Sequence, residues 1–257
     1  MAAYDSKARR ARLRLTLAGV AVVATLTAGG ILGVMTLNAN DDDLKQDPKA
    51  SPSASSTSSS SPAPSAVKEF TPATAPSIPR LKAKSSAEGI GTGFEHSSLG
   101  ATSAAISYWE DLDLLDDVIA RKQWTAIAAK DSPGTIDQGV TEVRKVREGV
   151  GLPPSGGTPD GITFSTHVKA ALTRSLDTSG DVINVWMVFD RYATIRDKGA
   201  DDNPLKDEVT NLVLKWENSD WKVTTDPKHT AKVKYPHTYD PASKYAWAEG
   251  WRAVADG

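Results

Sequence analysis

Four side chains have the types and spacing for acid–base chemistry. Ser165 and His167 are two apart in a run that alternates apolar and polar residues, so both fall on one face of a strand; Asp190 and Tyr192 do the same in the next run. A carboxylate held near an imidazole, away from water, has its pKa shifted and can serve as a base. Two features weigh against that chemistry. Alternation sends His167 to the face it shares with Lys169, and Asp190 stands beside Arg191 at a strand end, where ion pairing is ordinary. No third orienting group accompanies them. His167, Asp190 and Tyr192 therefore form an alternative pocket only; no residue is assigned a catalytic role, and the chain is not expected to be an enzyme.

Other chemistry is thinner still. His229, His237 and Asp240 match no standard metal-ligand spacing, and the chain has no cysteine, which removes a Cys-ligated metal, a Cys nucleophile and a disulfide scaffold. No metal and no cofactor is expected. Gly89-Ile-Gly-Thr-Gly-Phe94 lacks both the preceding strand and the spacing of a dinucleotide loop, and is read as an entry turn.

The elements that position these residues follow from periodicity. Ser97 or Ser98 is a helix N-cap, and Ala101, Ala105, Tyr108 and Leu112 then recur at helical spacing. Leu115, Val118, Ile119 and Ala126 predict a second helix, stopped by Ser132-Pro-Gly134. Thr135-Ile-Asp-Gln138 is a capping-box sequence opening a third. The period then becomes two: a half-buried strand from Ile162, a turn at Asp177-Thr-Ser-Gly-Asp181, and a run around Val185-Trp-Met-Val-Phe189 that is apolar on both faces and so central. Thr210, Leu212, Leu214 and Trp216 alternate, Glu217-Asn-Ser-Asp220 is a hairpin turn, and Trp221-Lys-Val223 returns. Near the end, Asp240-Pro241 is a helix start. Trp247 and Trp251, four apart, would share a face that either docks on the parent sheet or offers a partner surface.

Ahead of this domain the chain has a different character. Residues 15–37 run without a charged side chain, about 34 Å if helical, enough to cross a hydrocarbon core. Lys7, Arg9, Arg10, Arg12 and Arg14 precede the run and Asp41, Asp42 and Asp43 follow it. That asymmetry predicts a single-pass protein of the cell membrane, with a cytoplasmic N-terminus (residues 1–14) and an extracytoplasmic C-terminal part. The run is longer than a signal peptide requires, and Leu37-Asn-Ala39 is a poor cleavage site, so an uncleaved anchor is expected. Ala21, Thr25, Gly29 and Gly33 share one helix face, with Gly29 and Gly33 in a small-x-x-x-small pair suited to helix association and hence to self-association. Residues 38–88, rich in Ser and Pro, read as a disordered linker, and residues 89–257 as the folded domain, which holds all seven tryptophans. The formal charge of −2 splits into +4 on residues 1–14 and −6 beyond, an acidic balance that argues against direct nucleic-acid binding.

Helices followed by an antiparallel meander predict an α+β fold. Val213-Leu-Lys-Trp-Glu-Asn-Ser-Asp-Trp-Lys-Val223 resembles the closing hairpin of the cone-shaped nuclear-transport-factor-2-like superfamily. That resemblance implies helices packed on a curved antiparallel sheet, and acid–base residues, where present, inside the cone. A single-pass topology with such an exported domain resembles the inner-membrane assembly proteins of bacterial conjugation and type IV secretion machinery, and Thr92-Gly-Phe-Glu-His-Ser-Ser-Leu-Gly-Ala101 resembles the helix entry of bacterial membrane proteins with this layout. It implies a membrane-anchored interaction or assembly protein whose partners are other membrane or envelope proteins. The alternative is an exported domain that binds a small ligand, or acts on one, in the cone interior.

Overall fold

The computed structural model describes residues 69–195, 199–200 and 204–255. They form a short hairpin, β1 (Ser85–Ala87) and β2 (Ile90–Thr92), and three helices, α1 (Ser98–Asp111), α2 (Asp117–Ile127) and α3 (Gly134–Gly149). A meander follows: β3 (Ile162–Ser175), β4 (Val182–Ile195), β5 (Gly199–Ala200), β6 (Leu205–Glu217) and β7 (Asp220–Val223). Two short helices, α4 (Pro227–Thr230) and α5 (Lys244–Glu249), and the two-residue β8 (Arg252–Ala253) complete the fold.

Every helix but α3 starts where a side chain satisfies free backbone amides of its first turn. Ser97 Oγ accepts from Gly100 N–H at 2.9 Å, and Asp116 Oδ1 accepts from Val118 and Ile119 N–H at 2.9 Å. The capping box expected for α3 does not form: Pro133 holds the cap position, and Thr135 Oγ1 instead meets Thr225 Oγ1 at 2.8 Å. The β6–β7 hairpin closes as expected through Asn218 and Ser219, whose φ values of 53° and 62° give the primed turn that matches strand twist.

The sheet order is β7-β6-β4-β3-β8, all antiparallel, with β5 pairing the end of β4. The central position of β4 follows from its two apolar faces. Ile183, Val185, Met187 and Phe189 pack with Tyr108, Trp109 and Trp124 of the helices, while Trp186 and Val188 pack with Ala170, Leu172, Ala246 and Trp251 on the far side. The register slips twice at one level of the sheet, at Lys169 in β3 and between β4 and β6 beside Asp190. Such bulges re-aim side chains locally.

Several expectations are corrected. The curved, cone-shaped sheet is not found: the path is open and ends on two short strands, β7 and β8, that do not pair with one another. Period-two alternation specifies which face is buried but not whether sheet edges meet, so the helix-then-meander order could not separate the two. The folded unit also starts earlier than residue 89. Ala73 N–H donates to Pro241 O at 2.9 Å, Ile78 pairs with Val254, and Leu81 packs on the core. These few apolar residues sit in a Pro- and Ser-rich background that hides them.

No helix among the described residues is long and apolar enough to cross a membrane. The expected anchor at 15–37, with Ala21, Thr25, Gly29 and Gly33, lies outside the described residues. The single-pass reading, and with it the cell-membrane location, the cytoplasmic and extracytoplasmic split, the envelope partners and self-association through the anchor, gives way to what is observed: a mixed α+β unit of one open sheet and several helices.

Candidate functional site

The structure brings the three pocket residues together, but on the wrong side of the sheet for a cone interior. His167 lies directly opposite Asp190 across β3 and β4, and Ser165 opposite Tyr192. Asp190 shares the face of Trp186 and Val188, away from α1–α3. Its carboxylate is already occupied: Lys169 Nζ at 2.7 Å and Asp207 N–H at 2.9 Å reach Oδ1, and Tyr192 OH donates to Oδ2 at 3.3 Å. Lys169 also bridges to Asp207 at 2.6 Å. Burial pushes the Asp190 carboxyl up, but the bonds from Lys169 and the Asp207 amide outweigh it and hold the carboxyl below the ordinary range. A carboxylate stabilised in this way is a weak base at neutral pH. The helix-facing side of β4 is packed instead with Trp109, Met187 and Phe189.

The tryptophan pair also separates. Asp240 makes a turn with Ala242 N–H, and α5 starts only at Lys244 behind the cap Ser243 and stops at Gly250, whose φ of 119° favours glycine. Trp251 therefore lies beyond the helix. It is fully buried, its Nε1 donating to His237 O at 3.1 Å, and it cannot serve as a partner surface. Trp247 is half-buried between the Phe70 ring, 5.5 Å away, and the Arg252 guanidinium, 3.2 Å above its own ring. His237 binds Glu249 at 3.1 Å, and among the described residues no group of three His, Asp or Glu is gathered as a metal would require. The alternating glycines sit on the β1–β2 hairpin rather than on a phosphate loop.

The site that sequence reasoning missed lies on the helix-facing side of β4, one residue along. Arg191 follows Val185, Met187 and Phe189 in parity and points in among the helices, where it is only 7% exposed. Its Nε donates to Thr166 Oγ1 at 2.9 Å, but Nη2 has no hydrogen-bond partner, and among the described residues Arg191 forms no ion pair. The guanidinium carbon lies 5.2 Å from the Trp109 ring centre and 5.0 Å from that of Phe189. Burial pulls its pKa down to about 10, with the more distant Glu208 opposing, so Arg191 stays charged at neutral pH. The indole Nε1 of Trp109 is likewise buried and unpartnered.

Both residues line a crevice of about 20 Å³. Leu112 and Leu114 follow the end of α1, Trp124 comes from α2, and Gly139, Val143 and Val146 come from α3. A methyl group at Gly139 would run into the Trp124 indole, so only glycine lets α2 and α3 close this wall as they do. Asp113 and Glu142 complete the lining, and each is engaged elsewhere. Asp113 Oδ1 accepts from Leu115 and Asp116 N–H at 2.8 and 2.6 Å, and Glu142 Oε1 accepts from Lys145 at 2.7 Å.

A buried cation whose donors lack acceptors is costly. The crevice exceeds the ~10–15 Å³ that one water needs, so it has room for about one water-sized acceptor group. Guanidinium and indole N–H are donors only and take no proton near neutral pH. Comparison of the chain with family models, with curated proteins and with solved structures finds no match, so the resemblances to the nuclear-transport-factor-2-like superfamily and to secretion assembly proteins are not sustained and the crevice is interpreted on its own geometry.

Proposed function

We propose that this α+β unit works by binding rather than by catalysis, taking a hydrogen-bond acceptor of its ligand into the crevice between α1–α3 and the end of β4. One observation carries this reading: two residues that line the crevice, Arg191 and Trp109, each hold a buried N–H donor without a partner. They can orient and hold an acceptor but cannot abstract a proton from it. The carboxylates nearby are committed to backbone amides and to Lys145, and the acid–base residues of the other sheet face are tied into the Lys169–Asp190–Asp207 network.

The test uses the full chain and small acceptor probes. Acetamide and acetate are titrated while thermal stability and tryptophan fluorescence are followed, since Trp109 and Trp124 both line the crevice. Expected is a saturable response in the wild type that is lost in Arg191→Met, because binding to the native state alone raises stability. An equal response in wild type and Arg191→Met would place binding elsewhere and overturn the reading.

A further inference from the structure

Between α4 and α5 the chain crosses the far face of the sheet, away from α1–α3, as a strap without helix or strand, residues 231–243. We propose that this strap occupies in cis a groove for extended proline-containing segments, and that such a segment of a partner protein displaces it. The groove lies apart from the crevice and does not depend on acceptor binding there.

The strap meets the body at every third residue. Val233, Pro236 and Tyr239 are half-buried, and the two residues after each of them are exposed. Three residues per turn is the period of polyproline II, a form that makes no internal hydrogen bonds. From Lys234 to Tyr239 the backbone bonds to no other backbone among the described residues, and none of these residues has a positive φ. The surface beneath is aromatic. The Tyr235 ring lies 5.1 Å from that of Trp186 on β4, and the Tyr239 ring stands edge-on to Trp251 at 5.5 Å. Aromatic-lined grooves take polyproline II segments well, because the stiff ligand loses little entropy on docking.

The grip is concentrated on one peptide unit. His237 N–H donates to Glu249 at 3.0 Å, and His237 O accepts from the Trp251 indole N–H at 3.1 Å. Arg174 Nη2 holds the Glu249 carboxylate at 2.9 Å. The donor and the acceptor both belong to the body and both address backbone, so another extended chain can use them. Trp251 is closed to a partner only while the strap lies over it. Leaving is cheap for the strap: Tyr235 is 77% exposed, the His237 ring 94%, and a segment held by so few bonds opens well before the whole domain unfolds. The pattern that fits is the one now seated, an apolar residue, a proline three places on and an aromatic ring three places further, as in Val233, Pro236 and Tyr239.

The experiment offers the groove its own ligand in trans. A fluorescein-labelled peptide of residues 231–242 is titrated with the full chain, and its anisotropy is followed. In the wild type the strap competes at a high effective concentration, so trans binding is weak. Two strap variants lift that competition: Tyr239→Ser removes the ring that seats on Trp251, and His237→Pro removes the N–H given to Glu249 while keeping the extended form. Each is expected to bind the peptide at least roughly tenfold more tightly than the wild type does. A peptide carrying Pro236→Gly should bind severalfold more weakly, and a scrambled peptide not at all. Equal binding by wild type and both variants would place the peptide elsewhere and overturn the proposal. Equal binding of the scrambled peptide would overturn the polyproline assignment. No binding by any chain would show the strap to be a fixed part of the fold, and would equally overturn it.

Discussion

Two arginines of this domain are almost equally buried, and they live differently. Arg147, in the last turn of α3, is 3% exposed; Arg191, near the end of β4, is 7% exposed. The Arg147 guanidinium is held by backbone carbonyls: Nε donates to Pro153 O at 2.7 Å, and Nη1 to Gly157 O at 2.9 Å and to Leu115 O. It clamps the irregular 153–157 stretch against the α1–α2 connection, a structural task that leaves no room for a ligand. Arg191 has one hydroxyl and two aromatic faces. Burial of a cation is not by itself a sign of function. The distinction lies in whether the chain supplies the acceptors, and at Arg191 it does not.

The sharpest way to break this comparison is to remove each charge in turn. Arg147→Met should cost about 2–4 kcal/mol of stability, since it orphans carbonyls that the guanidinium satisfies. Arg191→Met should leave stability unchanged or raise it by up to ~2 kcal/mol, because a buried charge without a partner is being replaced by apolar volume. Opposite signs in urea denaturation support the contrast, and equal losses would erase it. A smaller effect tests the crevice wall. Gly139→Ala should destabilise by about 1–3 kcal/mol, as the new methyl displaces Trp124, and should change tryptophan emission. An unchanged spectrum would show that the close approach of α2 and α3 does not shape the site.

The mildest test concerns another half-buried side chain whose polar atoms lack partners. Both ring nitrogens of His229 are buried and unpartnered. Its surroundings are Lys228, Asp226, Asp131 and Lys232; burial first, and Lys228 next, push its pKa below the ordinary 6.5. Where Arg191 keeps its charge, His229 therefore gives its charge up. Because the folded pKa is the lower one, the unfolded chain takes up the proton first as pH falls. The His229 contribution should be intact above pH 6.5 and decline below it towards the folded pKa. His229→Leu should flatten that part of the pH–stability curve between 7 and 5. A curve that keeps its slope would assign the dependence to other groups.

Helices, strands and the Asn218-Ser219 turn were legible in the sequence because period and turn chemistry are local. What lay beyond were facts of pairing. Asp190 looked like the partner of Arg191 because they are neighbours in the chain, yet successive residues of a strand point to opposite faces. Asp190 meets Lys169, which stands at the bulge in β3, and Arg191 goes to the core. The signal for Arg191 was available in parity: two residues past Phe189, on the face that Val185 and Met187 share, stands a cation. Trp251 was misplaced for a similar reason. A four-residue spacing means a common helix face only while the helix lasts, and Gly250 ends it first.

The pairing of Ile78 with Val254 has a consequence for protein engineering. Ala255 N–H donates to Ile78 O at 2.9 Å and Ile78 N–H to Ala253 O at 2.7 Å, so the two flanks of the folded unit run side by side in parallel. A connector from residue 255 back to residue 70 has to run past Ile78 and the turn at Thr71–Ala75, at most on the order of 30 Å, which ten or so residues span. A circular permutant built that way and opened in the exposed bend between β3 and β4 keeps every strand neighbour it had. It also places new ends next to Ser175 and Ile183, the cross-strand pair beside that bend, where a reporter could be fused without touching any residue that lines the crevice.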